Sequence, residues 1–299
     1  MSGARSAMNQ IVFGARNLCD KARKMVKDPY LLGFYLNTYV FSRRKEPRTA
    51  SYVVSYPKCG RTWSRTTLRR YLDLAGTAAG AFESDGNFVR RPDSRFLKFD
   101  EDQGSWVPTP LRIDQLRFHA RKYRGKKVCF MARHPGDVLV SSWYHLTYRE
   151  RIYTRGLSEF IRDELVGIEK VIAFMNMWME NRHVPEAFHL ATYERMREDP
   201  LSGFTGMFTF LGVEVKPELL RAAIEGTSFE NMKQMELQKE LAEPWMRIGA
   251  EKTDRAMKVR KGKVGGYKDE LSPEDIAFLH RTMAAKLHPE LPYAQPAAL

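Results

Sequence analysis

The stretch Tyr56-Pro57-Lys58-Cys59-Gly60-Arg61-Thr62-Trp63 constrains this chain's fold more than any other. Before it stands Ser51-Tyr52-Val53-Val54-Ser55, β-branched and aromatic as a buried strand requires. After it, Thr66 to Leu72 carries apolar residues at helical spacing. Strand, tight loop and helix start follow in that order. The first amides of such a helix lack intrahelical acceptors and the positive end of the helix dipole lies behind them, so the loop favours an anion. Lys58 adds a mobile charge, Arg61 a second cation and Thr62 a hydroxyl, which makes the loop a cradle for phosphate or sulfate. Alone, the same residues also fit an ordinary strand-to-helix turn with a solvated lysine. A Walker A loop is excluded, because no G-x-x-x-x-G-K-[ST] spacing is present.

At 299 residues and 43% hydrophobic content the chain can bury one large core, and we expect a single α/β domain over residues 49–299. The net charge of +13 points to an anionic partner. Residues 1–50 hold ten Lys or Arg against three acids, a net of +7. Ile11, Ala15, Leu18, Ala22 and Met25 recur at helical spacing among Arg16, Lys21, Arg23, Lys24 and Lys27. Residues 1–48 therefore read as a basic, amphipathic helical extension. The expectation is a cytoplasmic protein in which the apolar segment after Pro29 packs on the domain, with peripheral contact of the extension with the inner face of the membrane as the alternative. The apolar segment from Leu31 to Phe41 is short of the roughly 20 residues a bilayer span needs. The start of the chain lacks the pattern of a signal peptide. Cys19, Cys59 and Cys129 are widely spaced and no His-Cys cluster has metal-ligand spacing, so a reduced protein without a metal is expected.

Further strands are read at Arg95–Phe99, Lys127–Arg133 and Ala187–Tyr193. Helices are read from the Pro108/Pro110 turn through Tyr123, over Val138–Arg149, on to about Arg182, at Pro200–Leu211 and at Lys216–Ala223. A last helix begins at Ser272-Pro273-Glu274-Asp275 and runs to about Leu287. Strands alternating with helices predict a three-layer, P-loop-like α/β fold, a central parallel sheet flanked by helices, with ligands at the strands' carboxyl ends.

Two more segments seek anions. In Arg133-His134-Pro135-Gly136-Asp137-Val138-Leu139-Val140-Ser141, Arg133 closes a strand and Ser141 lies two turns into the next helix, so both can reach one phosphate. In Val259-Arg260-Lys261-Gly262-Lys263-Val264-Gly265-Gly266-Tyr267-Lys268, glycines among cations let backbone amides approach an anion, although alone the run fits a mobile basic loop or a nucleic-acid patch better.

With these motifs in this order, the chain resembles the cytosolic-type sulfotransferases that use 3′-phosphoadenylyl sulfate (PAPS). Tyr56–Trp63 is similar to the family's Y-P-K-S-G-T-T-W, and Arg133–His145 to R-x-P-x-D-x-x-x-S-x-x-x-H. Tyr193–Pro200 is similar to Y-E-x-M-x-x-x-P, Thr227–Lys233 to T-S-F-x-x-M-K, and Arg260–Gly265 to R-K-G-x-x-G. The resemblance covers residues 50 to 290. It implies that Lys58 and Thr62 hold the 5′-phosphosulfate, with Cys59, Gly60 and Arg61 of the same loop also binding the cofactor, and that Arg133 and Ser141 hold the 3′-phosphate. Arg260, Lys261 and Gly262 would close over that phosphate, with Trp63, Tyr193, Thr227 and Phe229 around adenine. It also implies transfer of a sulfuryl group to a hydroxyl, less often an amine, leaving 3′-phosphoadenosine 5′-phosphate (PAP) and using no metal. The acceptor would be a small molecule, saccharide or lipid, and not a nucleic acid.

Two departures matter. Cys59 and Arg61 replace a serine and a threonine of the pattern, and Asp100 stands in Lys98-Phe99-Asp100 where the family places a histidine base. Lys58 and Asp100 are accordingly the catalytic candidates, with Glu101, Asp102 or a histidine from elsewhere as alternatives to Asp100. Two other functions stay open: a non-catalytic nucleotide- or polyanion-binding protein of the same fold, and a P-loop kinase.

Overall fold

The computed structural model describes residues 45–77, 87–91, 93–106, 110–238 and 254–294, together with Val12, Ala15, Arg16 and Cys19. Most of the predicted basic extension lies outside the described residues. Among the described residues no helix is long and apolar enough to cross a membrane.

A five-stranded sheet runs in the order β2-β3-β1-β4-β5, formed by β1 (Thr49–Ser55), β2 (Phe88–Arg90), β3 (Phe96–Asp100), β4 (Lys127–Ala132) and β5 (Ala187–Thr192). The central β1 pairs in parallel with β3 and β4, with Val54 opposite both Asp100 and Phe130, and β4 pairs in parallel with β5. The short edge strand β2 is antiparallel to β3. Three residues carry too little periodicity to announce a strand.

Each central strand is apolar on both faces, and the alternation sorts its side chains into two cores. Tyr52, Val54, Val128, Phe130 and Ala132 face one way, against α2 (Pro135–Tyr144), α3 (Ile168–Glu180) and α8 (Pro273–Lys286). Val53, Leu97, Phe99, Cys129 and Met131 face the other, against α1 (Arg61–Leu74), α5 (Pro200–Phe210) and α6 (Pro217–Gly226). Two further helices, α4 (Tyr193–Glu198) and α7 (Phe229–Gln238), run past the sheet's carboxyl end. The result is the α/β architecture the sequence predicts, with β2 as its antiparallel exception.

The helix predicted through Tyr123 is reduced to a 3₁₀ turn at Ile113–Gln115 and one turn at Ala120–Tyr123. Side chains take backbone groups that a helix would use: the neighbouring Gln115 Oε1 accepts the Arg112 amide at 2.8 Å, and the distant Lys170 donates to the Leu111 carbonyl. The helical region read to Arg182 is likewise broken before α3, where Asp163 Oδ1 accepts the Leu165 amide at 2.9 Å. At α8, Ser272 caps as its position suggests, accepting the Asp275 amide at 3.2 Å.

The first core is densest around Trp178, which is fully buried and meets the rings of Tyr123, Phe118 and Phe130 at 4.7, 5.2 and 5.8 Å. Removing it leaves a cavity that three large rings cannot collapse into. Trp178→Ala is therefore expected to lower unfolding free energy by about 3–5 kcal/mol in urea titrations. A loss under about 1 kcal/mol would show that this core repacks freely.

Candidate active site

The carboxyl ends of β1 and β4, adjacent in the sheet, open into a cavity of about 580 Å³. Lys58, Gly60, Arg61, Thr62 and Trp63 line it from the β1 side. The loop between β1 and α1 makes two left-handed turns, at Lys58 (φ 73°) and Gly60 (φ 98°). Glycine is required at position 60 for space as well as for φ, since a Cβ would come within 2.7 Å of the Tyr193 ring. The first helical bond runs from the Ser64 amide to the Gly60 carbonyl, which leaves the preceding amides at the loop.

Lys58 is half-buried, and burial together with the charges of Arg149 and Arg133 pushes its ammonium down to about 8. Cys59 turns the other way. Its side chain is packed in the first core and burial pushes its thiol up to about 12, so it does not line the cavity as the sequence reading expected. A buried thiol of this kind is inert as a nucleophile.

Arg133, just past β4, is fixed by what surrounds it. Its guanidinium donates to the carbonyls of Lys58 and Lys263, each at 3.3 Å, lies 3.5 Å from the Asp137 carboxylate, and stacks on Tyr193 at 4.2 Å from the ring centre. Its Nε is buried with no partner among the described residues. Ser141, two turns into α2, lines the cavity beside it. On the same wall Trp63 meets Tyr193 edge-on at 5.9 Å and Phe204 at 4.8 Å. Thr227 lines the cavity too, although its hydroxyl is engaged by the Ala223 carbonyl and by Thr67.

The glycine-rich segment folds over this wall because two carboxylates hold it there. Asp137 accepts the amides of Gly265 and Tyr267 at 2.9 and 3.0 Å. Glu236, fully buried on α7, accepts the amides of Lys258 and Val259 at 2.9 Å each and pairs with Arg149 at 2.8 Å. Gly262 (φ 60°) packs so tightly on Phe229 that a Cβ would meet the ring at 2.4 Å. Arg260, Lys261, Gly262 and Phe229 thus all line the cavity. Arg260 and Lys261 both pair with Glu270, and Arg260 also stacks on Tyr144 at 3.8 Å. Burial pushes the Glu270 carboxyl up, but bonds from Lys261, Arg260 and Tyr144 outweigh it and bring it down to about 2.

Asp100 is the clear departure from the sequence reading. On β3 it shares a face with Lys98, and its carboxylate lies 3.0 Å from Lys98 Nζ and 2.8 Å from Lys122 Nζ, while also accepting the Asp102 amide. Burial would raise its pKa, but the two ammonium groups and the amide hold it far below the usual carboxylate range. Asp100 does not line the cavity, whereas the next residue, Glu101, does and is ion-paired to Arg61. Beyond Glu101 the lining becomes more apolar, with Trp106, Leu146 and Ile152 alongside His145 and Glu150. A π-helical turn, His145–Arg149, extends α2 into this end.

Glu236 and Glu270 had no local signal in the sequence; Asp137 was visible only as one letter of a matched pattern. Among the described residues no cluster of His, Cys, Asp or Glu is placed to share a metal ion.

Comparison with known proteins agrees with this geometry. Residues 48–289 match the sulfotransferase domain. Flavonol 3-sulfotransferase of Flaveria bidentis is 23% identical over 79% of this chain and 81% of its own length. Cytosolic sulfotransferase 15 of Arabidopsis thaliana is 26% identical over 54% of this chain, and the match spans 47% of that protein. In fold, the chain is similar to the mouse sulfotransferase SULT7A1 in complex with PAP, with a TM-score of 0.58 and 20% identity over 83% of this chain and 90% of that one. The domain match covers most of the sequence, and the chain belongs to the sulfotransferase domain family.

Proposed function

We propose that this chain transfers a sulfuryl group from PAPS to the hydroxyl of a small, largely apolar acceptor. One observation carries the reading: three anion-seeking segments far apart in sequence line one cavity. The residues fit a nucleotide with phosphates at both ends. The loop at Gly60 leaves amides and room for one anion, and the buried, unpartnered Nε of Arg133 with Ser141 beside it suits another. Trp63, Tyr193 and Phe229 offer aromatic faces for a base between them.

When bound, PAPS supplies the sulfuryl group and carries away the electron pair of the broken S–O bond on its 5′-phosphate. Lys58, the helix amides and Thr62 would stabilise the charge that grows there. Arg61 is turned to Glu101, so its part is to neutralise that carboxylate beside the cradle. Arg260, Lys261 and Gly262 would close over the far phosphate in exchange for Glu270. The apolar end at Trp106, Leu146 and Ile152 would take the acceptor's carbon frame, consistent with the flavonol named for the Flaveria relative.

Lys58→Ala is expected to cut kcat at least about 100-fold while PAP affinity, measured by calorimetry, falls less than tenfold. Arg133→Ala should instead weaken PAP binding by about tenfold or more. Equal affinity losses in the two variants would overturn this division of roles, and binding of PAP with no transfer to any of a broad panel of alcohols and phenols would make the protein a binding module. Since the Lys58 ammonium deprotonates near pH 8 in the free protein, PAP affinity should decline as pH rises through that value. Lys58→Arg should remove the decline, because a guanidinium stays charged.

Asp100 serves folding in this reading. Its depressed carboxyl stabilises the protein above the unfolded carboxylate range and loses that contribution as pH falls through the folded pKa. Asp100→Asn is expected to lower the melting temperature at pH 7 while leaving kcat within about threefold, since its group does not reach the cavity. Loss of transfer in a folded Asp100→Asn protein would restore it as the base.

A further inference from the structure

Aromatic faces hold any flat ring, so selection among nucleotide bases needs polar groups at the ring's edge. Resting on the PAPS reading above, we infer that Arg197 is a further nucleotide-binding residue. Its guanidinium donates to a ring nitrogen of the base while Thr227 accepts from the base's amino group, and the two together select adenine.

Arg197 comes one turn after Tyr193 on α4, so the two side chains leave the same face of that helix, and both line the cavity. Along this wall the contacts run cation, ring, ring, cation. Arg133 lies over Tyr193 at 4.2 Å from the ring centre, Tyr193 meets Trp63 edge-on at 5.9 Å, and the Arg197 guanidinium lies 5.6 Å from the centre of the Trp63 ring. The two cations differ in what else they do. Arg133 donates to the carbonyls of Lys58 and Lys263 and lies beside Asp137. Arg197 is exposed, and its guanidinium makes no ion pair or hydrogen bond among the described residues. It is held over the indole with its N–H groups unspent. In the motif that Tyr193–Pro200 resembles, Arg197 falls on an unspecified position, so the resemblance gives it no role.

Thr227 supplies the opposite half. It follows α6, is buried, and donates its hydroxyl proton to the Ala223 carbonyl at 2.8 Å. A hydroxyl has one proton and two lone pairs, and the contact with Thr67 Oγ1 at 2.9 Å uses at most one of those pairs. What Thr227 presents to the cavity it lines is therefore an acceptor.

A guanidinium only donates, and this hydroxyl only accepts. An adenine edge is the complement, since an amino group stands there beside a ring nitrogen. Arg197 alone would suit guanine as well, whose carbonyl oxygen and ring nitrogen both accept. The Thr227 lone pair turns the preference. In guanine or hypoxanthine a carbonyl oxygen replaces the amino group, so two acceptors would face each other in a buried place and neither would be paired.

The test is calorimetry on the full chain with three ligands: PAP, its inosine counterpart 3′-phosphoinosine 5′-phosphate, and ribose 3,5-bisphosphate, which has no base. The wild-type chain should bind PAP at least about tenfold more tightly than the inosine ligand. Arg197→Ala should weaken PAP binding about five- to tenfold and leave ribose bisphosphate binding unchanged. Arg197→Gln keeps an N–H donor without the charge and should recover part of that loss. Thr227→Val should erase the preference for PAP over the inosine ligand. Should that buried substitution prevent folding, the wild-type preference decides the Thr227 half. Equal losses for PAP and ribose bisphosphate in Arg197→Ala would show a cation acting through its charge at a distance and would overturn the base contact. No loss in Arg197→Ala, or equal wild-type affinity for the adenine and inosine ligands, would overturn it too. A wild-type chain that binds none of the three ligands would overturn the PAPS reading itself, whereas one that binds all three alike would keep the phosphate sites and overturn only the reading of the base.

Discussion

The carboxylate of Asp137 is the tie on which the anion site depends. It accepts the Gly265 and Tyr267 amides across about 130 residues of chain and lies 3.5 Å from Arg133, so the strand-to-helix segment after β4 and the glycine-rich segment are held by one buried group. Without it, two backbone donors and a guanidinium would be left to water or to one another, and the segment carrying Arg260 would have no fixed place over the cavity. Glu236 acts in parallel from the other side, holding the amides of Lys258 and Val259 while neutralising Arg149. The glycine-rich loop is therefore positioned by carboxylates bound to its backbone, while its own cations pair with Glu270 and Asp269.

Most of the cations around the cavity have internal partners: Arg61 with Glu101, Arg133 near Asp137, Arg149 with Glu236, Arg260 and Lys261 with Glu270. Lys58 makes no ion pair among the described residues, and burial first, then the charges of Arg149 and Arg133, holds its pKa down. This asymmetry separates two kinds of work. Paired cations hold the cavity's walls in place, while an ammonium without an ion pair would, under the proposed reading, be the one to answer charge that appears during the reaction.

Much of this was legible in the sequence because the cradle is local chemistry. A strand, a Pro-Lys-x-Gly turn and a helix start place Lys58, Gly60 and Thr62 within a few residues of one another, and the same holds for Arg133 and Ser141 one strand on. Asp100 was singled out because it stands where the matched pattern has its histidine, and a place in a pattern does not show which face of the strand meets the cavity. The sheet puts Leu97 and Phe99 in one core and leaves the two charged residues to pair with each other and Lys122. Glu236 and Glu270 were illegible for a different reason. Each is one acid among many, and its meaning comes from partners such as Arg149, 87 residues away from Glu236, that only the folded chain brings near.

Glu270 has a consequence for discrimination among anions. Because Arg260 and Lys261 already hold a carboxylate, a phosphate arriving at that loop enters by ligand exchange, and the favourable charge it meets is only what it offers beyond Glu270. A monovalent salt ion offers no advantage over the resident carboxylate and gains nothing by the exchange. A dianion with three oxygens can satisfy the guanidinium fork and the ammonium together. Under the proposed reading the loop would thus set a threshold of charge and geometry that background anions fail.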